Sequence, residues 1–324
     1  MRAFATAMLF SVAILWMGAG VAVAQPQQFA TAQQGDSQQF AYRYTDITGA
    51  IRTLHFALNA ADIQRGNAEF QAWNEQEART RAFNAAQRAA QAFDTPARQV
   101  NVSESGRMLQ IRLVGYGNAV TPQMGRQVED TLNTTYEDAI ETYAHNHFYL
   151  ARHQDATTTV IQPDHPRLAD RYAPAMAPVA QAIIRQVPGA SAGTRGFINA
   201  TLSWLQTIPY NELQNRATSN GAGFNTPYGL VLQNQGDCDT KATALAAVIR
   251  SVYPNLPLAM VYVPQHAFLG IGIPQGDNDF ALNTSNGTYV LADATGPRLM
   301  ALGDIDDTTQ NYLRAHQTTI LPIP

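Results

Sequence analysis

The stretch QNQGDCDTKATALAAVIRS, residues 233–251, holds the one cysteine and the one lysine of the 324-residue chain. Gly236 can end the preceding turn in a left-handed conformation, and Asp237 is a good N-cap for a following helix. Apolar residues then recur around the whole helix, which predicts that it is buried on most sides. These residues are Ala242, Leu245, Ala246, Val248, Ile249 and Val252. The stretch therefore predicts a buried helix whose first turn carries Cys238.

The position of Cys238 suits a nucleophile. A thiol at a helix N-terminus meets unpaired backbone N–H groups and the positive end of the helix dipole, and both favour the reactive thiolate. The neighbouring acids Asp237 and Asp239 oppose this effect, so a cationic partner is needed to outweigh them. The alternative is a small buried core residue, which is the commonest fate of a free cysteine.

Two downstream residues complete a candidate catalytic set. His266 stands after Pro264 at the head of the strand-like segment HAFLGIGIP, and Asp293 lies within the apolar segment YVLADAT. An unpartnered carboxylate in such a strand would be costly. A histidine that accepts a thiol proton and is oriented by a carboxylate is the arrangement that nucleophilic acyl chemistry requires. We therefore expect Cys238, His266 and Asp293 to meet.

The order of the remaining patterns predicts the fold class. Helical patterns precede the cysteine helix, and strand-like patterns follow it, which predicts an α+β arrangement with an antiparallel sheet. The helical patterns cover 175–187 and 194–207, and the strand-like ones cover 256–264, 266–274 and 288–295.

A second region, residues 40–153, has a repeating ββα pattern. It predicts a hairpin around 46–49, a long helix at 60–93, a strand pair turning at 105–106 and a helix from Thr121. These elements predict a small α+β accessory domain in front of a catalytic domain. The expected divisions are a disordered leader at 25–39, the accessory domain at 40–153, a linker at 154–174, the catalytic domain at 175–310 and a C-terminal tail at 311–324.

The first residues have the pattern of a secretory signal peptide. Arg2 precedes an apolar run, and Ala22 and Ala24 are the small residues expected before cleavage after Ala24. We therefore expect a periplasmic or secreted protein without an integral membrane segment after removal of residues 1–24. A lone thiol in an oxidising compartment is a liability unless it is buried or used.

The charge balance limits the classes of partner. The formal net charge is −4, and loss of Arg2 with the signal peptide makes it −5. A weakly acidic chain with no basic block does not favour nucleic acid or an anionic membrane surface as a partner.

Four segments resemble a known family. They are WLQTIPY (204–210), GFNTPYGLVLQNQGDCDTKATALAAVIR (223–250), VYVPQHAFLGIGIP (261–274) and YVLADATGP (289–297). They resemble the transglutaminase-like superfamily of papain-fold cysteine enzymes, and most closely its exported bacterial cysteine proteinases. The resemblance implies a papain-like core with the cysteine helix packed on an antiparallel sheet. It also implies Cys238 as nucleophile, His266 as general base and acid, and Asp293 as the group that orients the histidine.

The same resemblance implies a reaction class. Animal-type transglutaminases carry tryptophans close to the nucleophile, whereas here Asp239 and Thr240 follow Cys238 and the nearest preceding tryptophan is Trp204. This difference favours hydrolysis of peptide or amide bonds through a thioester, with a peptide or protein of the cell envelope as substrate. The alternatives are a catalytically silent peptide- or protein-binding module and an acyl transferase.

Further residues have two interpretations each. No cofactor is required, but some relatives bind calcium through acids beside the cysteine, so Asp237 and Asp239 are tentative calcium ligands; the alternative is helix capping. Gln233 is the candidate second oxyanion donor beside the Cys238 N–H, or simply a loop glutamine. Lys241 is either a solvated first-turn residue or a partner of Asp237, and its uniqueness suggests that the broad fork of arginine would not fit there.

Overall fold

A computed structural model describes residues 27–105, 108–153, 159–215 and 223–324, and the predicted signal peptide lies outside these ranges. The architecture confirms the α+β class. Within the described ranges, no helix is both long and apolar enough to cross a membrane. The helices are α1 (Ala60–Glu69), α2 (Glu75–Gln91), α3 (Pro122–Asn146), α4 (His165–Gln186), α5 (Thr194–Thr207), α6 (Pro227–Gln233), α7 (Cys238–Arg250) and α8 (Asp307–Arg314).

The strands pair in antiparallel fashion, and the largest sheet has the order β10-β11-β9-β8-β12. The strands are β1 (Gln28–Gln34), β2 (Ser37–Thr45), β3 (Ile51–Asn59), β4 (Arg98–Ser105), β5 (Met108–Gly115), β6 (Tyr149–His153), β7 (Thr159–Pro163), β8 (Leu258–Val263), β9 (His266–Ile271), β10 (Ala281–Thr284), β11 (Gly287–Ala292) and β12 (Thr319–Ile323).

Helix α7 forms the centre of the core. Asp237 caps it by accepting a hydrogen bond from the Thr240 N–H at 3.1 Å. Every residue from Thr240 to Arg250 is buried, because α7 lies between α4 and strand β9. A helix that is covered on all sides must be apolar on nearly all sides, as this one is. The surrounding packing fixes Cys238 at the start of a rigid element.

The β1–β3 sheet packs on this core. The rings of Tyr42 and Trp204 meet edge to face at 5.5 Å, and the Tyr42 hydroxyl donates to the Val231 carbonyl at 3.2 Å. The expectation of a disordered leader at 25–39 is wrong from Gln28 onward, since β1 pairs with β2 along its whole length. The side chains of β1 are almost all exposed. The stability of β1 therefore comes from backbone hydrogen bonds to β2. Such a strand needs no alternation of apolar and polar residues, so the sequence pattern does not reveal it.

The accessory unit is smaller than the predicted domain at 40–153. Helices α2 and α3 pack together over the β4–β5 pair, around a cluster of Ala90, Val100, Val128 and Leu132. The predicted helix at 60–93 is broken between α1 and α2, where Phe70 is fully buried and meets Phe224 edge to face at 5.1 Å. The β2–β3 hairpin and α1 belong to the main hydrophobic core around α7 instead.

Two further boundaries differ from expectation. In the predicted linker at 154–174, residues 154–158 lie outside the described ranges, but the rest forms β7 and the first half of α4. Pro166 in the first turn of α4 needs no hydrogen-bonded N–H, so it starts the helix rather than preventing it. The predicted tail at 311–324 contains the end of α8 and β12, which forms the sheet edge beside β8.

Candidate active site

The structure brings the three predicted catalytic residues together. His266 begins β9, Asp293 directly follows β11, and these two strands are neighbours in the sheet. The Nε2 atom of His266 lies 2.7 Å from Oδ2 of Asp293. The thiol of Cys238, at the start of α7, interacts with the same imidazole. Because Nε2 faces the carboxylate, Nδ1 is the ring nitrogen that is left for the sulfur.

The surroundings of His266 favour its protonated form. Burial alone would lower its pKa, but the hydrogen bond that His266 donates to Asp293, the interaction with Cys238 and the charges of both raise the pKa to about 10. For Asp293, burial acts to raise the pKa, and the hydrogen bond and charge of His266 more than offset this, so the pKa is lowered. At neutral pH the imidazole therefore holds a proton, and a neighbouring cation is the environment in which cysteines become nucleophilic.

The loop after β11 holds the carboxylate of Asp293, and Gln206 holds its backbone. Oδ1 of Asp293 accepts the Thr295 N–H at 2.8 Å. The buried Gln206 amide donates to the carbonyls of Asp293 at 2.6 Å and Met300 at 2.9 Å. Sequence reasoning missed Gln206, although a polar residue on the buried face of the apolar helix α5 is a usable signal.

Lys241 is fully buried, so the predicted solvated position is wrong. Its Nζ donates to the carbonyls of Ile208 and Thr295, both at 2.5 Å. Burial lowers the pKa of Lys241 to about 8, although the charges of Asp293, Asp237 and Cys238 act in the opposite direction. One side chain thus ties α7 to the end of α5 and to the loop after Asp293.

The two acids beside the sulfur differ in state. Burial, followed by the charge of Asp239, raises the pKa of Asp237 to about 9, so this carboxyl is neutral at pH 7. Burial also acts to raise the pKa of Asp239, but the charge of His165 and hydrogen bonds outweigh it and lower the pKa. One acid is uncharged and the other is paired, which weakens their opposition to the thiolate.

His165 is a site residue that sequence reasoning placed in the linker. It is the buried first residue of α4, and its Nδ1 lies 2.7 Å from the Tyr262 hydroxyl. Its Nε2 lies 3.0 Å from Oδ2 of Asp239, within ion-pair distance, but the ring N–H is not directed well enough for a hydrogen bond. The segment PDHPRL carried a signal, since Asp164 and Pro166 are typical of a helix start.

The carboxylates of Asp237 and Asp239 do not form a calcium site here. Oδ1 of each accepts the Thr240 N–H, and Oδ2 of Asp239 faces His165. Calcium takes about six to eight oxygen ligands. In the described part of the chain, no group of three or more His, Cys, Asp or Glu side chains is placed to hold a metal ion. This donor set does not fit calcium.

The side chain of Gln233, the predicted oxyanion donor, interacts with two neighbouring amides. It is exposed at the end of α6, and its Oε1 accepts hydrogen bonds from Asn225 at 3.0 Å and Gln235 at 3.3 Å. Across the described ranges, no hydrogen bond joins Gln233 to Cys238. The backbone N–H of Cys238 is a better oxyanion donor, because the first N–H groups of a helix have no intrahelical acceptor.

A solvent-accessible cleft is lined by His266 and Asp293, the two triad members on the sheet side. It has a volume of about 400 Å³, and its walls come from the turn before β9, the loop after β11 and α8. The exposed Tyr210 lies beside Gly236, to which its backbone is bridged. Burial and the charge of Cys238 are the two largest causes that raise the pKa of Tyr210 to about 12. The bridge to Gly236 places Tyr210 two residues from Cys238 along the neighbouring segment.

No family model, curated protein or solved structure matches the chain. The functional argument therefore depends on the geometry of the site.

Proposed function

We propose that this protein is an exported, transglutaminase-like cysteine hydrolase that cleaves peptide or amide bonds in the cell envelope. The observation that carries the proposal is the 2.7 Å hydrogen bond between His266 and the buried Asp293, with the only thiol of the chain interacting with the same imidazole. The cysteine helix packed against an antiparallel sheet supports a papain- or transglutaminase-like core. Cys238 is the nucleophile, His266 the proton carrier, and Asp293 the group that orients the ring.

In the first half-reaction the thiolate attacks the substrate carbonyl carbon. A C–S bond forms while the carbonyl electron pair moves to oxygen, where the Cys238 N–H stabilises the negative charge. The His266 imidazolium gives its proton to the leaving nitrogen, and the C–N bond breaks. The products are a free amine and a thioester on Cys238, with His266 neutral.

In the second half-reaction water replaces the amine. The neutral imidazole of His266 takes a proton from water as the water oxygen attacks the thioester carbon. The C–S bond then breaks, the carboxylic acid leaves, and the thiolate–imidazolium pair is restored. Asp293 stays ionised throughout and keeps the ring in position, as carboxylates do in such triads.

Acyl transfer is a second candidate, favoured by one observation. The chain has a single lysine, and it is fully buried. No lysine side chain of the protein can therefore attack the thioester on Cys238. An enzyme that transfers its acyl group to external amines needs this protection from self-modification. In this version an external amine takes the place of water in the second half-reaction.

A cleavage assay tests the proposal. The chain without residues 1–24 is incubated with a peptide library, and new termini are identified by mass spectrometry, with and without an added primary amine. We expect new carboxyl termini with the wild type, or amidated ones if transfer dominates. Cys238→Ala and His266→Ala should abolish them.

The matched control is His55→Ala, since His55 is exposed on β3 and its hydrogen bonds use only its backbone. This variant should cleave normally. Cleavage by Cys238→Ala at the wild-type rate would refute the proposal. Uncut peptides retained equally by the wild type and Cys238→Ala would show a silent binding module instead.

A further inference from the structure

The only lysine of the chain is an unusual core residue. Lys241 has no exposed surface, and its ammonium has two carbonyl acceptors, Ile208 and Thr295, from different segments. An ammonium group has three donors and is costly to bury unless it is paired. The fold therefore retains a buried charge three residues after the nucleophile, where the mechanism described above does not use it.

The charges that act on Lys241 come from the triad side. Asp293 approaches from the end of β11, and Asp237 and Cys238 from the start of α7. The end of α5 contributes the carbonyl of Ile208. Burial favours the neutral form of Asp237, so among these three groups the Asp293 carboxylate and the proposed Cys238 thiolate are the negative ones that remain.

We propose that Lys241 is the internal counter-ion of the catalytic triad, coupled electrostatically to the Cys238 thiolate and holding the Asp293 loop against the cysteine helix. This inference builds on the proposed nucleophile. Thiolate, imidazolium, carboxylate and ammonium together carry no net charge, whereas without the ammonium the buried set is negative. Lys241 is thus a positioning residue that keeps the thiolate stable despite the acids beside it.

The choice of lysine over arginine fits this role. Of 21 basic residues, the remaining 20 are arginine. A compact ammonium can donate to two carbonyls from separate segments in a closed space, whereas a planar guanidinium needs a wider one. The two 2.5 Å hydrogen bonds leave little room for the larger group.

Alkylation of the only thiol by iodoacetamide measures the coupling. Lys241→Met keeps the length of the side chain and removes the charge. At an effective dielectric constant of about 20, loss of a unit charge within about 12 Å supports a change of at least about tenfold. We therefore expect Lys241→Met to react about tenfold more slowly at pH 6, with the acid limb of its profile moved to higher pH.

The matched control is Thr243→Val. Thr243 is also fully buried on α7, and its hydroxyl has no hydrogen-bond partner among the described residues. Its alkylation profile should equal that of the wild type. A folded Lys241→Met protein with an unchanged profile would overturn the inference.

A second measurement needs no variant at position 241. Because there is one lysine, ¹³Cε-lysine labelling gives a single lysine NMR resonance. We expect its titration midpoint near pH 8, and a fall after alkylation of Cys238 removes the thiolate charge. A midpoint that alkylation does not move would overturn the inference. Neither measurement needs a substrate, so failure of the inference is distinct from failure of the proposed hydrolase activity.

Discussion

Replacement of Asp293 by asparagine perturbs the triad with little change in shape. The variant keeps a side chain of the same size but removes the charge that faces Nε2 of His266 at 2.7 Å. The pKa of His266 is about 10 in the wild type, against an ordinary value of 6.5. At about 1.36 kcal/mol for each tenfold change in proton affinity, this difference corresponds to about 5 kcal/mol.

The carboxylate of Asp293 supplies the first of the favourable contributions, and burial opposes all of them. In Asp293→Asn we therefore expect the pKa of His266 to fall to its ordinary value of about 6.5 or below. At pH 7.5 the imidazole would then be mostly neutral, so fewer molecules would hold the thiolate–imidazolium pair. We expect the alkylation rate of Cys238 at that pH to fall about tenfold or more.

The assay follows the His266 ring proton by NMR and the alkylation rate across pH 5 to 10. Asp277→Asn is the matched control, because Asp277 is exposed. It should leave both curves unchanged. A His266 titration midpoint in Asp293→Asn that stays near 10 would refute the electrostatic reasoning, even if activity were lost.

Three further predictions follow from the same contacts. Gly296 has a φ of +66°, and a side chain there would overlap the Gln206 carbonyl, whereas Gly49 also has a positive φ but faces open space. Gly296→Ala should therefore lower the melting temperature by several degrees more than Gly49→Ala. Equal losses of melting temperature would contradict the role of the overlap. His165→Gln removes the imidazole that faces Asp239 at 3.0 Å, so alkylation at pH 6 should slow, and an unchanged rate would show that this pair does not act on the sulfur. Because the pKa of His266 is raised, its stabilising contribution is full below pH 6.5 and is lost as the pH rises through about 10. The difference in unfolding free energy between the wild type and His266→Gln should therefore shrink over that range, and a growing difference would count against the pairing.

The parts of the fold that have a local signal follow from the sequence. Helix α7 begins at Cys238 because Asp237 caps it, and α5 has the predicted bounds 194–207. Strands β8 and β9 lie within the predicted apolar runs, and β11 begins one residue before its run. Cys238 and His266 sit at the predicted helix start and strand start, whereas Asp293, expected within a strand, directly follows β11.

The parts that depend on distant pairing do not follow. Strand β1 is polar and exposed, and β12 lies in a short terminal segment, so both depend on partners that the local pattern does not show. The buried polar contacts of His165, Gln206 and Lys241 join segments far apart in the chain. The local pattern placed His165 in a linker, Gln206 on a helix and Lys241 in a solvated first turn or beside Asp237, whereas the assembled fold brings all three to the site.

The rate at which iodoacetamide alkylates Cys238 at pH 6 tests the central claim most directly, because the chain has no second thiol. If His266 holds the proton and the sulfur is a thiolate, the wild type should react at least about tenfold faster than a free cysteine in a short peptide. His266→Ala should lose this advantage, while His55→Ala should keep it. A wild-type rate no higher than that of the peptide, unchanged in His266→Ala, would contradict the account.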